Sequence, residues 1–248
     1  EYFKRIKKNF STLSDLSFIS DAEAIKIAKE KKLDIAIDLV GYAKSHRTNI
    51  FSNRCAKKQV NFLHYPGSMS VKFVDYIIAD NFLITKDLRK NYLEKIVFMP
   101  KCYQPNSFDR FQNLNLKNRN DFGFAQNDFI FCCHNNSIKI NKDVLDTWTE
   151  ILLNTENTVI WLLEDNLEWK KNIINYFISK KIDPNRIYFS PRTNNSEYLS
   201  RLKVADLFLD TFPCNAHTTA SDCVMMELPI LTISGKSFAS RVCGSILN

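Results

Sequence analysis

The sequence predicts an α/β protein with a doubly wound parallel sheet in its carboxyl-terminal half. The main observation is that residues 122–248 alternate short apolar runs, typical of strands, with amphipathic helical patterns. A second observation is that residues 33–65 show the order strand, helix, strand. Strands that are separated by helices are usually parallel and joined by right-handed crossovers. Both halves of the chain are therefore expected to contain parallel sheets.

The amino-terminal half, residues 1–106, is predicted to begin with helices and to continue with four strands. Residues 1–31 carry helical patterns, and Ser20 followed by Glu23 three positions later is the capping-box signal of a helix start. The first strand is expected to be buried because it is rich in aliphatic residues. The predicted strands span 33–39, 60–65, 75–80 and 94–100, with short helices at 49–56 and shortly before residue 92.

Residues 107–121 are rich in Asn, Arg, Lys and Asp and lack periodicity, which indicates a linker. The second domain, residues 122–248, has predicted strands at 128–133, 158–163, 186–189, 207–209 and 229–233. Its predicted helices span 141–153, about 167–178, 196–203, 218–226 and 237–248. The second of these helices is expected to point six side chains inward, namely Leu167, Trp169, Ile173, Ile174, Phe177 and Ile178.

The composition excludes several classes of protein. A hydrophobic share of 45% argues against disorder, and 34 Lys and Arg against 27 Asp and Glu give a net charge of +7 that can favour anionic ligands. No basic run with interleaved aromatics indicates nucleic-acid binding. Seven cysteines without a paired framework suit a reducing, cytoplasmic compartment. The sequence has no signal peptide and no membrane-spanning run, and its first residue and unfinished last helix indicate a fragment of a longer protein.

The most informative stretch lies between the strands predicted at 207–209 and 229–233. His217, Thr218 and Thr219 occupy the start of the intervening helix, where free backbone N–H groups, two hydroxyls and an imidazole suit a phosphate. Asp222 lies one turn further along, where it can accept a hydrogen bond from a ribose hydroxyl. The loop is not glycine-rich, so it is neither a Rossmann nor a P-loop fingerprint. The structural alternative is that the threonines cap the helix and His217 is an ordinary loop histidine.

Lys139 is the second candidate, because it follows a predicted strand and precedes a helix. A lysine in this place can bring a flexible positive charge to a diphosphate. The structural alternative is a solvated loop charge. The strand ends near Lys139, Arg192 and His217 are expected to converge on one crevice, since ligands collect at the carboxyl ends of strands in open α/β sheets.

Two further polar residues at strand ends have open interpretations. Asp38 lies near the carboxyl end of the first predicted strand and is a candidate site residue, although acids in such positions also cap the next loop. His64 lies near the end of the second predicted strand and can act as a base, since imidazole titrates near neutrality, or can be structural.

The sequence resembles the O-GlcNAc transferase family, glycosyltransferase family 41, in its bacterial form. The resemblance is most specific in the stretches YPGSMSVKFVDYIIAD and CNAHTTASD, and it extends over nearly the whole chain. It implies the GT-B fold with two Rossmann-like lobes, an incomplete amino-terminal lobe and an active site in the cleft between the lobes. Val40 and His64 depart from the family, which usually has Asn and Gly in these places.

The resemblance implies an inverting transfer of GlcNAc from UDP-GlcNAc to Ser or Thr hydroxyls of a protein or peptide acceptor. It implies no cofactor and no metal, and the sequence shows no clustered ligand set. In the family, tetratricopeptide repeats commonly lie upstream. A family histidine of the early amino-terminal lobe is also expected upstream, so the fragment alone is expected to be inactive.

The resemblance also gives roles to individual residues. Lys139 would bind the β-phosphate and, with His217 and the helix start, stabilise departing UDP, and Asn136 would support Lys139. Thr193 and Arg201 would lie near the uracil, Tyr198 stands where the family has a histidine packed by the base, and Asn195 replaces a ribose-contacting lysine of the animal enzymes. Cys214 would lie beside the N-acetyl group. The remaining candidates for sugar or acceptor contacts are Gln104 and Asn106, for which a plain polar loop is the alternative.

Two other functions remain open at this point. One is a glycosyltransferase of the same fold with another donor or acceptor, for example hexose transfer to asparagine. The other is a non-catalytic binding remnant, which Tyr198 and Asn195 favour and which the set of Lys139, His217, Thr218 and Thr219 argues against. Nucleic acid is not expected as a partner.

Overall fold

A computed structural model describes residues 2–112 and 114–248, without the side chain of Tyr2. The chain divides into two units. Unit 1 comprises Glu1–Ala79 and Arg89–Phe98, and unit 2 comprises Asp80–Leu88 and Met99–Asn248. The domain boundaries predicted from composition, with a linker at residues 107–121, stay a prediction.

Unit 1 is built on a four-stranded sheet. The strands are β1 (Leu33–Asp38), β2 (Ala56–Asn61), β3 (Tyr76–Asp80) and β4 (Lys95–Met99), in the order β1-β2-β3-β4. The pairs β1–β2 and β2–β3 are parallel, as the order strand, helix, strand predicts. The helices are α1 (Tyr2–Asn9), α2 (Asp21–Glu30) and α3 (Thr48–Ser52).

The start of α2 has the predicted capping box. The Ser20 hydroxyl accepts from Glu23 N at 3.2 Å, and Ser20 N donates to the Glu23 carboxylate at 2.8 Å. These bonds satisfy two backbone donors at the helix terminus. The helical prediction is wrong for residues 10–20, which form loops between α1 and α2. The reason is that the Leu and Phe residues in this stretch are mostly exposed and give a helix no face to bury.

The prediction that β1 is a buried strand is also wrong. β1 lies at the edge of its sheet, and the side chains of Ile35 and Ile37 are 61% and 48% exposed. Ala36, which points to the other face, packs with the small core of Ala24, Ile50 and Cys55. An aliphatic strand pattern indicates an apolar face, but it does not say whether another element covers that face.

Unit 2 contains a five-stranded parallel sheet with the order β7-β6-β5-β8-β9. Its strands are β5 (Phe129–Cys133), β6 (Thr158–Glu164), β7 (Ile187–Pro191), β8 (Leu207–Leu209) and β9 (Ile230–Leu231). Its helices are α4 (Lys142–Leu153), α5 (Leu167–Ser179), α6 (Asn195–Val204), α7 (Thr218–Met225) and α8 (Val242–Leu247). The strand order reverses direction at β5, which is the doubly wound arrangement that the alternating pattern predicts.

The core of unit 2 lies around β5 and β6. Trp161, Phe177 and Phe208 are almost completely buried there, because both faces of a doubly wound sheet are covered by helices. The prediction for α5 is correct for Ile173 and Phe177, which are buried, and wrong for Leu167 and Ile178. These two side chains are 76% and 47% exposed, since they lie at the ends of the helix and off its inward face.

The positive charge of the chain is unevenly distributed. Unit 1 has 17 Lys and Arg against 9 Asp and Glu, a net charge of +8, whereas unit 2 has 17 against 18, a net charge of −1. Across the described residues, helices of sufficient length and apolar character to cross a bilayer are absent.

Candidate functional site

The candidate site is a cavity of 320 Å³ in unit 2, at the carboxyl ends of the central strands. In an open parallel sheet this is the usual place for a ligand. The cavity brings together six of the twelve predicted site residues. The residues around it are His134, Leu163, Arg192, Thr193, Tyr198, Arg201, Thr218, Thr219 and Asp222.

The helix α7 begins at this cavity. His217 is the residue that precedes its first turn, and the His217 side chain makes no capping hydrogen bond. The first amides of the helix therefore keep their hydrogen-bonding capacity, and the positive end of the helix dipole lies next to the hydroxyls of Thr218 and Thr219. This arrangement of backbone donors and hydroxyls is suited to an anion.

His217 itself is held as the neutral imidazole. Burial and the nearby charge of Lys139 lower its pKa to about 4, although a backbone hydrogen bond at Ala239 acts in the opposite direction. Its Nε2 atom has no hydrogen-bond partner among the described residues. At neutral pH this side chain can therefore donate or accept a hydrogen bond, but it does not contribute a positive charge.

Lys139 ends a short turn of 3-10 helix, Ser137–Lys139, that follows β5. Its Nζ atom donates to the carbonyl oxygen of Asn215 at 2.7 Å. Because Asn215 lies two residues before His217, this bond directs the ammonium group towards the loop that leads into α7. Lys139 is thus a half-buried and oriented cation rather than a freely solvated charge.

The half-buried carboxylate of Asp210 accepts several hydrogen bonds from this loop. Asp210 accepts from Ala216 N at 2.6 Å, from Thr211 N at 2.8 Å and from the Thr232 hydroxyl at 2.6 Å. Burial raises the pKa of Asp210, whereas these donors lower it. Asn135 also donates to Asp210 at 3.3 Å, so the end of β5 and the loop before α7 are connected.

Tyr198 and Arg201 lie three residues apart on α6 and therefore share one face of the helix. Arg201 is 4% exposed and donates to Pro191 O at 2.6 Å and to Glu197 at 2.9 Å. The hydroxyl of Tyr198 lies near Thr219 and Asp222. Burial raises the pKa of Tyr198, so the phenol is neutral in this environment.

Asp222, the predicted ribose ligand, already has a partner. The guanidinium of Arg110 lies 3.1 Å from its carboxylate, which is almost completely buried. Burial raises the pKa of Asp222, and the charge of Arg110 lowers it. Arg110 also donates to Asn195 at 2.9 Å. Arg110 is not among the predicted site residues, because it lies in the stretch that composition predicts to be a linker.

Other predicted residues lie outside the lining of this cavity. Gln104 donates to Ser221 on α7 at 2.9 Å, and Cys214 is half-buried in the loop before α7. Asn136 is exposed and accepts from Ile138 N at 3.1 Å, and Asn106 is exposed. The roles predicted for these residues remain predictions.

The two open candidates of unit 1 differ in their surroundings. Asp38 is buried and accepts from Val40 N at 2.9 Å and Gly41 N at 3.0 Å. It therefore caps the loop after β1, in agreement with the structural alternative. His64 is exposed and lies beyond the end of β2.

Two further polar residues at the site, His134 and Asn135, are not among the predicted site residues, although they follow β5 directly. Asn135 is buried and donates to the Thr211 hydroxyl at 2.9 Å. His134 is 6% exposed and lines the cavity. The available signal was the run of polar residues immediately after an apolar strand, of which only Asn136 and Lys139 were considered.

In the part of the chain that the structure describes, no group of three or more His, Cys, Asp or Glu side chains is arranged to hold a metal ion. The charged groups at the site are instead Lys139, Arg192, Arg201 and the pair of Arg110 and Asp222.

Comparison with solved structures shows the fold. An O-GlcNAc transferase mutant of Thermobaculum terrenum superimposes with a TM-score of 0.86 at 23% identity, covering 98% of this chain and 46% of that one. The Anabaena protein HepE, solved with UDP and glucose, gives a TM-score of 0.52 at 13% identity over 93% of this chain and 70% of that one. These similarities confirm the predicted α/β fold with Rossmann-like lobes of the GT-B type.

Curated relatives share the sequence at a higher level. The probable UDP-N-acetylglucosamine–peptide N-acetylglucosaminyltransferase SEC of Arabidopsis thaliana is 31% identical over 99% of this chain. A Caenorhabditis elegans UDP-N-acetylglucosamine–peptide N-acetylglucosaminyltransferase is 35% identical over 53% of it. The chain spans 26% and 12% of the lengths of these two proteins.

The family model described as glycosyl transferase family 41 matches residues 1–108 and 104–248, which together account for every position. A match of this extent leaves one conclusion, that the chain belongs to glycosyltransferase family 41.

Proposed function

We propose that this chain is the donor-binding region of a protein O-GlcNAc transferase. The reaction is an inverting transfer of GlcNAc from UDP-GlcNAc to a Ser or Thr hydroxyl of a protein or peptide. The observation that carries the proposal is the arrangement of a half-buried lysine, a free helix start and a cavity at the strand ends within unit 2. The two relatives named above are peptide N-acetylglucosaminyltransferases by name, which supports the choice of sugar and acceptor.

In this proposal the diphosphate lies at the start of α7. The amides of the first turn and the hydroxyls of Thr218 and Thr219 donate hydrogen bonds to its oxygens, and the helix dipole favours its charge. His217, which is neutral because its pKa is lowered to about 4, adds no charge, and it donates a hydrogen bond to the diphosphate in the tautomer that carries the proton on Nε2. Lys139 supplies the positive charge.

The chemical step is a displacement at the anomeric carbon. The oxygen of the acceptor hydroxyl attacks from one side while the bond to UDP breaks on the other, so the configuration inverts, and the proton of the hydroxyl is released to the solvent as UDP departs. Negative charge accumulates on the departing β-phosphate, where Lys139 and the start of α7 stabilise it more strongly than in the ground state. Positioning and charge stabilisation thus carry most of the rate, and we assign Lys139 and His217 to this role.

The nucleoside part lies in the cavity. Tyr198 offers its ring to the uracil, with Thr193 and Arg201 beside it, and Asp222 faces the ribose. Asp222 is held by Arg110, so a ribose hydroxyl binds to a carboxylate that is already paired. In place of the ribose-contacting lysine of the animal enzymes, Asn195 binds Arg110. Asn136 supports Lys139 from the turn before it.

The acceptor side of the proposal rests on fewer contacts. Gln104, Asn106 and Cys214 are proposed to contact the sugar or the acceptor, with Cys214 beside the N-acetyl group. We further propose a cytoplasmic location, tetratricopeptide repeats in the full-length protein, and no requirement for a cofactor or metal. A chelator such as EDTA is therefore expected to leave donor binding unchanged.

The first experiment is a calorimetric titration of UDP and UDP-GlcNAc into the wild-type chain and into the Lys139→Ala and His217→Ala variants, without metal. Each variant is expected to lose UDP affinity by about tenfold, or about 1.4 kcal/mol. Lys142→Ala and His46→Ala are matched controls, because Lys142 is an exposed lysine three residues away and His46 lies in unit 1. Both controls are expected to bind UDP as the wild type does.

Two outcomes decide against the proposal. A folded wild-type chain that does not bind UDP contradicts the donor site, and equal losses in the controls and the site variants contradict the assignment to Lys139 and His217. The sugar and the acceptor are tested separately, by the mass added to a panel of peptides by the full-length protein. A hexose instead of a GlcNAc increment would indicate the same fold with another donor.

A further inference from the structure

The imidazole of His134 is a buried polar group without a protein partner. The residue follows β5, the middle strand of the unit 2 sheet, and it is 6% exposed. Neither Nδ1 nor Nε2 has a hydrogen-bond partner among the described residues. Leaving a polar group buried and unpaired costs about 1–3 kcal/mol. A phenylalanine in the same space would not have this cost.

The surroundings of His134 hold the ring in place without satisfying it. The ring packs edge-on against Trp161, with 5.2 Å between the centroids and an angle of 86°. Trp161 is itself fixed, because its indole N–H donates to Ser190 at 2.7 Å. The neighbouring polar residue Asn135 differs from His134 in having partners, because its amide nitrogen donates hydrogen bonds to Asp210 and to Thr211.

His134 is also neutral. Burial and the positive charge of Arg201 lower its pKa to about 3. A neutral imidazole has one N–H donor and one nitrogen acceptor, and it chooses between two tautomers to suit its partner. Such a ring suits a group that carries both N–H and C=O.

His134 lines the cavity in which the proposed function places the nucleoside part of the donor. The diphosphate of the proposed function lies at Thr218 and Thr219, and the cavity is also lined by Leu163, near the end of β6, and by Thr193, which follows β7. Arg201 lines the same cavity and has a second unpaired atom, its Nε–H. A uracil ring has alternating C=O and N–H groups along its edge. These groups can accept a hydrogen bond from the Nε–H of Arg201 and pair with the donor or acceptor nitrogen of His134.

We infer that His134 is a specificity-determining residue that hydrogen-bonds the polar edge of the uracil base of the donor. This inference rests on the proposed function. It adds a residue that hydrogen-bonds the base directly to those that hold the phosphates, and it gives the unpaired imidazole that lines the cavity a partner.

The test compares UDP with inorganic pyrophosphate, which has the two phosphates but no base. Calorimetry on the 248-residue chain is expected to show that His134→Phe weakens UDP binding by about tenfold and leaves pyrophosphate binding unchanged. His134→Gln, which keeps a donor and an acceptor, is expected to recover part of the loss. A merely structural role would weaken both ligands, because the phosphate groups bind to the same unit.

A second readout follows UDP binding in the wild-type chain itself, and a variant serves only to assign its signals. The chain has four histidines, so ¹⁵N spectra of the imidazole nitrogens can be assigned, with His134→Phe identifying one set of signals. UDP is expected to shift the His134 nitrogen resonances and to favour one tautomer, and pyrophosphate is expected to leave them in place. His46→Phe is the matched control for loss of a histidine elsewhere.

The outcomes separate this inference from the proposed function. If the wild type binds UDP and depends on Lys139, but His134→Phe binds it equally well and the His134 resonances do not move, only this inference is overturned. Equal losses for UDP and pyrophosphate in His134→Phe also overturn it. If the wild type binds neither ligand, the donor site itself is absent and both proposals fail.

Discussion

At the scale of single residues, the buried neutral His134 makes the stability of unit 2 depend on pH. Its pKa is lowered to about 3 in the folded chain, against about 6.5 in an unfolded one. The unfolded chain therefore takes up a proton below pH 6.5 that the folded chain does not. The stability is fully present above pH 6.5 and is lost as the pH falls towards 3. His217 acts in the same direction.

We expect the wild-type free energy of unfolding to be about 1.4 kcal/mol lower at pH 5.5 than at pH 7.5 through His134 alone. His134→Phe should remove this part of the pH dependence. The measurement is urea unfolding followed by tryptophan fluorescence, which reports unit 2 because Trp148, Trp161 and Trp169 all lie there. His46→Phe is the control and should keep the wild-type dependence, and an unchanged pH dependence in His134→Phe would contradict the prediction.

The pair of Arg110 and Asp222 leads to a second prediction at this scale. The carboxylate is almost fully buried and the guanidinium is partly exposed. Arg110→Ala leaves a buried carboxylate without its cation, so unit 2 is expected to lose about 1–3 kcal/mol of stability. Asp222→Asn in the same chain should lower this loss, because it removes the charge that Arg110 compensates.

The same urea unfolding experiment measures both variants and the double variant. Arg192→Ala is the matched control, since the ion pair of Arg192 with Asp165 is partly exposed and its loss should cost at most about 1 kcal/mol. Strictly additive effects of Arg110→Ala and Asp222→Asn would show that the two side chains do not stabilise each other.

At the scale of elements, the strands and helices of unit 2 follow from local patterns. β5, β6 and β8 agree with the apolar runs to within one residue, and α4 begins after Asn141, whose side chain caps it. Such elements are predictable because their burial and their end signals lie in the same short stretch. The exposure of β1 and of the ends of α5 was not predictable in this way, because it depends on which other elements pack against them.

The capping box of α2 gives a prediction for a single element. Ser20→Ala removes the hydroxyl that accepts from Glu23 N, which should destabilise the helix by about 1 kcal/mol. Amide hydrogen exchange in α2 should then become about fivefold faster, and exchange in α4 should not change. Ser11→Ala, at an exposed loop position, is the control. Equal exchange rates in α2 of the wild type and Ser20→Ala would mean that the cap adds nothing.

At the scale of the whole molecule, the net charge does not mark the nucleotide site. The +7 of the sequence was interpreted as favouring anionic ligands, but unit 2, which holds the candidate site, has a net charge of −1. Any attraction for a diphosphate there comes from oriented local groups such as Lys139 and the start of α7. The excess of positive charge belongs to unit 1.

The sequence predicts the fold of this chain more completely than its site. Six of the predicted site residues come together in one cavity because they lie at strand ends and helix starts, positions that the strand and helix pattern reveals. His134 and Arg110 were missed for a physical reason. The burial of the His134 ring without a hydrogen-bond partner and the ion pair between Arg110 and Asp222 arise only in the folded chain. Neither feature has a signal within a short stretch of sequence.

The exposed strand β1 leads to a prediction for the whole molecule in solution. Its outer edge has no paired strand among the described residues, and Ile35 and Ile37 expose an apolar strip beside it. Such edges pair with other chains. Ile35→Lys is expected to reduce light scattering of concentrated solutions severalfold, whereas Leu153→Lys, at an exposed position of α4, should have a smaller effect. Similar scattering by both variants would show that β1 is not the cause.

The same strip determines how the protein is best handled in the laboratory. During overproduction, molecules whose β1 edges meet before purification would accumulate in inclusion bodies, and the yield would fall as expression temperature rises, because apolar association strengthens on warming. Cold induction and a charged residue at position 35 are therefore the practical route to a monodisperse sample for the titrations of UDP.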